Sequence, residues 1–283
     1  MSPAWRAVRS GFTRGRIETL QHFTDPGDLI GIGVFMALGF AILLAMRHVA
    51  APGTSFSLGT MMVPSLIGMN IAFFGLVTVA ALLVIDREDG TLLRAKIIPN
   101  GMVGYLVAKI VDASSSVLLG LVVPVAYGLI FFRGLSVGDT GSWLTLAWVL
   151  VLGLLATLPV GIVIGSLLPS SKSANLLTPV AGGVVAISGV FYPITHLPGW
   201  LQPIGQVFPF YWVALGARSA LLPHAMAALE IGHSWRHPQT AVVLAVWAAA
   251  GLALAPWVLR RMARRQSGSR VSAARDRHLQ RVG

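Results

Sequence analysis

Six stretches of this chain run for eighteen residues or more without an Asp, Glu, Lys or Arg: 29–46, 48–85, 113–132, 140–171, 173–217 and 237–259. A helix needs about 18 to 20 apolar residues to cross a bilayer, so each stretch is long enough for at least one crossing. Only 11% of the residues are charged, against about 25% in soluble domains, and the mean hydropathy is +0.76. These features exclude a soluble enzyme, a disordered chain and a small disulfide scaffold. The expected fold class is an all-α polytopic membrane protein.

The chain has no cysteine, which removes disulfides, thiolate nucleophiles and Cys-ligated metal sites. The net charge of +11 does not point to nucleic acid. Eight arginines lie between Arg260 and Arg281, opposed only by Asp276. A basic tail beside a span is a cytoplasmic anchor drawn to anionic lipid. The first apolar run is too long for a signal h-region, so the first span is expected to stay in the mature chain.

Residues 3–24 read as an amphipathic helix. Trp5, Val8 and Phe12, then Ile17, Leu20 and Phe23, recur at helical spacing with Arg6, Arg9, Arg14 and Arg16 between them, as in helices lying in the membrane interface. The Asp25-Pro26-Gly27-Asp28 segment breaks that helix, and Asp28 is expected to N-cap the first span. Spans are expected at 29–46, 61–85, 110–132, 144–168, 174–191 and 239–259. With both termini cytoplasmic, seventeen Lys and Arg fall inside and four (Arg47, Arg133, Arg218, Arg236) outside, as the positive-inside rule requires. The stretch 173–217 could hold two spans, but a seventh would put the basic tail outside. Pro193, Pro198, Pro203 and Pro209 also interrupt a second helix there. Residues 192–217 therefore read as a re-entrant hairpin entering from the outer face, with Tyr192, Trp200, Tyr211 and Trp212 in the outer aromatic belt. The domain reading is a cytoplasmic interfacial helix at 1–28, a transmembrane domain at 29–259 and a disordered basic tail at 260–283.

The sequence holds no H-E-x-x-H, no G-x-S-x-G and no Walker A motif, and not a single Gly-Lys pair. The chain cannot bind ATP by a P-loop. His224, His233 and His237 read as parts of a solvated outer loop rather than a metal site. Asp112 follows Lys109 by three residues and reads as its interfacial ion-pair partner. Were it buried and titrating, it would instead suit an ion-coupled transporter. On the second span, Asn70, Phe74 and Val77 share one face at i, i+4, i+7. Asn70 there either bonds a neighbouring helix or lines a pathway. Gly161-x-x-x-Gly165 and Gly182-Gly183 read as close helix contacts.

Immediately after the second span comes Asp86-Arg87-Glu88-Asp89-Gly90-Thr91-Leu92-Leu93-Arg94-Ala95-Lys96-Ile97-Ile98-Pro99. Gly90 should interrupt the helix, Thr91 should N-cap a short new one, and Pro99 should end it. This segment resembles the E-R-E-x-G-T-L…P signature of permeases of the second type of ABC exporter, with Asp86 for the usual Glu and Ala95 for a usual Leu. A second match is Ser188-Gly189-Val190-Phe191-Tyr192-Pro193, then Leu197-Pro198-Gly199-Trp200-Leu201, Phe208-Pro209 and Arg218, with Phe208 for the usual Asn.

The resemblance implies a bacterial plasma-membrane exporter subunit with no catalytic or metal site of its own. ATP and Mg would be held by a separate ATPase subunit. Two permease copies would enclose the pathway, as a homodimer in preference to a heterodimer. Residues 86–99 would be the coupling segment, with Asp86, Arg87, Glu88, Asp89, Gly90, Thr91, Leu92 and Arg94 facing the ATPase. Asn70, Phe74, Val77, Thr178 and Ile187 would line the pathway of a hydrophobic or amphiphilic substrate. Gly189, Phe191, Pro193, Pro198, Trp200 and Pro209 would form the exit gate. The alternatives are an ion-gradient-driven transporter and a non-transporting scaffold or immunity protein.

Overall fold

The computed structural model describes residues 3–49, 57–132, 134–136 and 138–265. The described residues are all-α. Among the described residues four continuous helices are long and apolar enough to cross a membrane: Leu58–Glu88, Gly101–Phe131, Thr140–Leu167 and His237–Met262.

The chain opens with α1, Pro3–His22, and α2, Pro26–Met46, the latter lying over the first expected span. Asp25, not Asp28, closes the start of α2. Its carboxylate accepts the Gly27 N–H at 2.8 Å and its carbonyl accepts the Leu29 N–H at 3.0 Å. Pro26 follows it at the first helical position, where a missing N–H costs nothing.

The second long helix is built from α3, Leu58–Phe73, a π-helical turn at Phe74–Thr78, and α4, Val79–Glu88. Gly90 then stands at φ 75°, and α5, Thr91–Ile97, begins. Next come α6, Gly101–Phe131, and α7, Thr140–Leu167. The wide turn lies where α7 comes closest. A Cβ on Gly161 would lie 2.6 Å from the Gly75 carbonyl oxygen and 2.7 Å from that of Leu76, and one on Gly165 would lie 2.6 Å from that of Ala80. The two helices touch backbone to backbone, which only small residues permit.

The expected fifth span, 174–191, is not one helix. It divides into α8, Ser171–Asn175, and α9, Leu177–Ile187, only 11 residues long. Pro179 accounts for the break: it has no N–H for the Asn175 carbonyl and its ring crowds that turn. After α9 come a 3₁₀ turn at Ile194–His196, α10, Leu201–Val207, and α11, Pro209–Leu221. The chain ends in α12, His237–Arg265.

The core is organised around α11, in which every residue but Ser219 is buried. It packs on α3, α7 and α12, and Gly68 meets the Ala214 backbone so closely that a Cβ would lie 2.6 Å from its Cα. This corrects the expected aromatic belt. Trp200 is 70% exposed, but Tyr211 and Trp212 are 0% and 3% exposed, in the protein interior. The indoles there serve as caps: Trp212 Nε1 donates to the Gln206 carbonyl at 2.7 Å and Trp247 Nε1 to that of Val207 at 2.9 Å. These are carbonyls that the end of α10 leaves without a helical partner.

Helix α1 lies along the first half of α6 rather than alone. Its small residues Ala7, Gly11, Gly15 and Thr19 form the contact, stepping from Gly104 past Ala108 to Asp112. Trp5, Phe12, Ile17 and Leu20 are each more than half exposed.

Candidate functional site

At the C-terminal end of α4, two acidic residues of the expected coupling segment are already engaged within the chain. The Asp86 carboxylate accepts the Tyr105 hydroxyl at 2.9 Å and pairs with Lys109 Nζ at 2.9 Å. Lys109 also reaches Glu18 of α1 at 3.1 Å, and Glu18 pairs with Arg14 at 2.7 Å. Burial pushes the Glu18 carboxyl up, but Lys109 and Arg14 outweigh it and hold the group below the usual carboxylate range, so it stays ionised at neutral pH.

The expected Lys109–Asp112 pair is therefore not the one formed. Asp112, 1% exposed, instead accepts the Thr19 hydroxyl at 3.1 Å and lies 3.4 Å from His22 Nδ1. One turn of α6 thus ties both α1 and α4.

Glu88 turns the other way. One carboxylate oxygen accepts the Ser171 N–H at 3.0 Å and the other accepts the Ser171 hydroxyl. Ser171 opens α8, so Glu88 caps an orphan N–H there and joins the end of α4 to the start of α8. Arg87 extends toward Met262 of α12, with Nη1 3.9 Å from the sulfur.

Gly90 interrupts the helix as expected, because φ near 75° suits glycine. Gly90 itself takes the N-cap position, Thr91 is the first helical residue, and no side chain caps α5. Leu92 is fully buried and Ala95 is 6% exposed, so these two anchor α5 in the chain's own core. Asp89, Arg94, Ile97 and Ile98 face outward, the isoleucines 78% and 61% exposed. This apolar tip was not singled out from sequence. Its signal was two β-branched residues just before Pro99, outside the charged run.

Among the described side chains, the pathway candidates are not brought onto one surface. Asn70 turns to α6, where a Cβ on Gly120 would lie 3.5 Å from its Nδ2, and its Oδ1 has no hydrogen-bond partner among the described residues. Val77 is 5% exposed, inside the core. The Phe74 side chain lies outside the described residues. The π turn also departs from the 3.6-residue spacing on which a shared face of these three rested. Thr178 is exposed on α9 and Ile187 is half-buried at its end.

The exit-gate candidates lie around a compact turn. Gly189 has φ 59°, and a Cβ there would lie 2.9 Å from that of Ile194. Phe191 packs with Val190 and Phe210, Pro193 is buried, and Pro209 opens α11. Pro198 and Trp200 are exposed. Arg218, a member of the second matched motif, is 2% exposed and donates from Nη1 to the Gly189 and Val190 carbonyls at 3.1 and 2.9 Å.

Among the described residues no group of three or more His, Cys, Asp or Glu is arranged to hold a metal. The sequence matches the family model described as ABC-2 family transporter protein over residues 46–255. No curated protein matches it.

Proposed function

The chain belongs to the ABC-2 family of transporter proteins, and on that footing we propose that it is the permease of an exporter driven by a separate ATPase subunit. The observation that carries this reading is the form of residues 86–99. A short helix is fixed at its base by Asp86, Glu88 and Leu92, and presents Arg94, Ile97 and Ile98 outward. A rigidly based lever with an exposed apolar tip suits a surface that receives force from another subunit. ATP and Mg belong to that subunit. Two copies of the chain enclose the pathway, in six spans with a re-entrant hairpin at the outer face. The membrane is the bacterial plasma membrane. The substrate is hydrophobic or amphiphilic, because α9 offers an apolar surface with few hydrogen-bonding groups.

The orientation has a direct test. Single cysteines at Thr140 and Ala228 should react with an impermeant maleimide on sealed cells, whereas those at Asn100 and Lys172 should react only after lysis. Labelling at Asn100 in sealed cells would reverse the topology.

The energy source has another. The purified chain alone should hydrolyse no ATP, and export should need a co-purifying subunit with Walker motifs. Collapsing the proton gradient at constant ATP should spare export. If it stops export, and Asp112→Asn does the same, an ion-coupled transporter replaces this reading.

A further inference from the structure

The loop between α11 and α12 carries Glu230, which belongs to neither matched motif. It is 3% exposed, and its Oε1 lies 2.9 Å from Arg218 Nε. Arg218 in turn holds the two carbonyls at which α9 gives way to the outer turn. One buried ion pair therefore ties three segments: the end of α9, the core helix α11 and the outer loop. Glu230 Oε2 and Arg218 Nη2 have no hydrogen-bond partner among the described residues, and the 2.9 Å approach of Arg218 Nε is an ion-pair contact without hydrogen-bond alignment, so the pair is not locked into a fully satisfied network.

The turn itself is packed, with Val190 and Ile194 fully buried, but helix α9, which leads into it, is lightly held. Of α9, only Ala181 and Val185 are buried. A Cβ at Gly182 or Gly183 would meet nothing within 4 Å, and Val180 is 62% exposed. The helix is bounded by the break at Leu176 and by the left-handed Gly189. It is a short rod with a hinge at each end and one broad open face. Beyond Arg218, its outer end is gripped by α10, where a Cβ on Gly205 would lie 2.5 Å from the Ile187 carbonyl oxygen.

We propose that Arg218 and Glu230 form a latch that keeps the outer turn closed over the end of α9, with the outer loop as its handle. Both are positioning residues: they hold the backbone at Gly189 and Val190 and need not touch substrate. The proposal rests on the reading of this hairpin as the exit side. It also accounts for an ion pair where an apolar pair would serve the fold as well. Replacing a buried pair by apolar side chains is often neutral for stability, whereas removing one partner strands a charge. A contact that can be traded between partners suits a part that must open and close.

The test uses the full chain, which has no cysteine of its own, in sealed cells with an impermeant maleimide. Single cysteines replace Val190, which is fully buried, and Trp200, which is 70% exposed. Each is combined with wild-type Arg218 and Glu230, with Glu230→Gln, or with Arg218→Met and Glu230→Met together. Trp200→Cys should label readily in every background. Val190→Cys should label slowly in the wild type and roughly tenfold faster in both altered backgrounds, while the double-Met chain, freed of buried charge, keeps near-wild-type yield and melting temperature. If Val190→Cys is equally protected in the folded double-Met and Glu230→Gln chains, the pair is only structural and the latch is wrong. If Trp200→Cys does not label from outside, the exit-side reading itself fails and takes the latch with it.

Discussion

Alanine at Glu88 is expected to leave the chain folded and inserted while lowering transport about tenfold or more. The two hydrogen bonds from Ser171 to Glu88 are a side-chain tie between the end of α4 and the start of α8. Bonds to an ionised group contribute about 1.5–3 kcal/mol each, enough to decide whether the two helix ends move together. Without them, Ser171 loses the partner of its N–H, and a displacement of α5 no longer pulls on α8 and α9. Membrane insertion does not depend on this tie, since the long helices bury their own backbone. The measurement is transport by the reconstituted complex, read beside its ATP hydrolysis. Hydrolysis should persist with its stimulation by substrate lost. Glu88→Gln, which still accepts from Ser171, should retain part of the transport. Normal transport by the alanine variant would reduce residues 86–99 to a linker.

Leucine at Gly161 is expected to have the larger effect on the fold itself. Overpacking a core usually costs about 1–3 kcal/mol because side chains can move aside. At Gly161 the obstacles are the Gly75 and Leu76 carbonyl oxygens and the Leu76 Cα. Backbone cannot yield without prising α7 from the π turn. The cost should therefore reach or exceed the top of that range, and a chain of ordinary marginal stability should not accumulate as a monodisperse detergent-soluble species. Gly182→Leu is the matched control, since a Cβ there meets nothing. If both variants elute and melt alike, the two helices are not in backbone contact.

Local chemistry made the backbone form of residues 86–99 legible. A glycine followed by a short charged stretch and a proline dictates a break and a stop, and both fall at Gly90 and just before Pro99. Four long helices were legible as well, because exclusion of charge is a requirement of the bilayer rather than of a particular fold. What stayed hidden was which side of each helix meets protein. Lipid tails are as apolar as leucine, so the apolar pattern that marks the buried face of a soluble helix is silent here. The burial of Tyr211 and Trp212, assigned to an aromatic belt, is the clearest case. The partners of Lys109 were hidden for another reason. Asp112 is near in sequence, but Glu18 and Asp86 lie 91 and 23 positions away, and only helix packing brings them within reach. Pro179 could have revealed the break before α9, had a proline near a helix start been weighed against an unbroken apolar run.

The π turn at Phe74–Thr78 has a bearing on the phase of everything below it. A turn of this kind holds one residue more than the α-helical ladder requires, so the half that ends at Glu88 is rotated by about 100° from where an unbroken helix begun at Leu58 would leave it. In that rotated setting Asp86 meets Lys109 while Glu88 meets Ser171. Excising one residue between 74 and 78 would restore an ordinary ladder and leave both carboxylates on their partners, because the wide turn already absorbs the extra residue. Closing the turn into a regular α-helix with all its residues kept would instead swing both off in a single motion. The width of this one turn is thus a setting in its own right, held by geometry rather than by the identity of any one side chain.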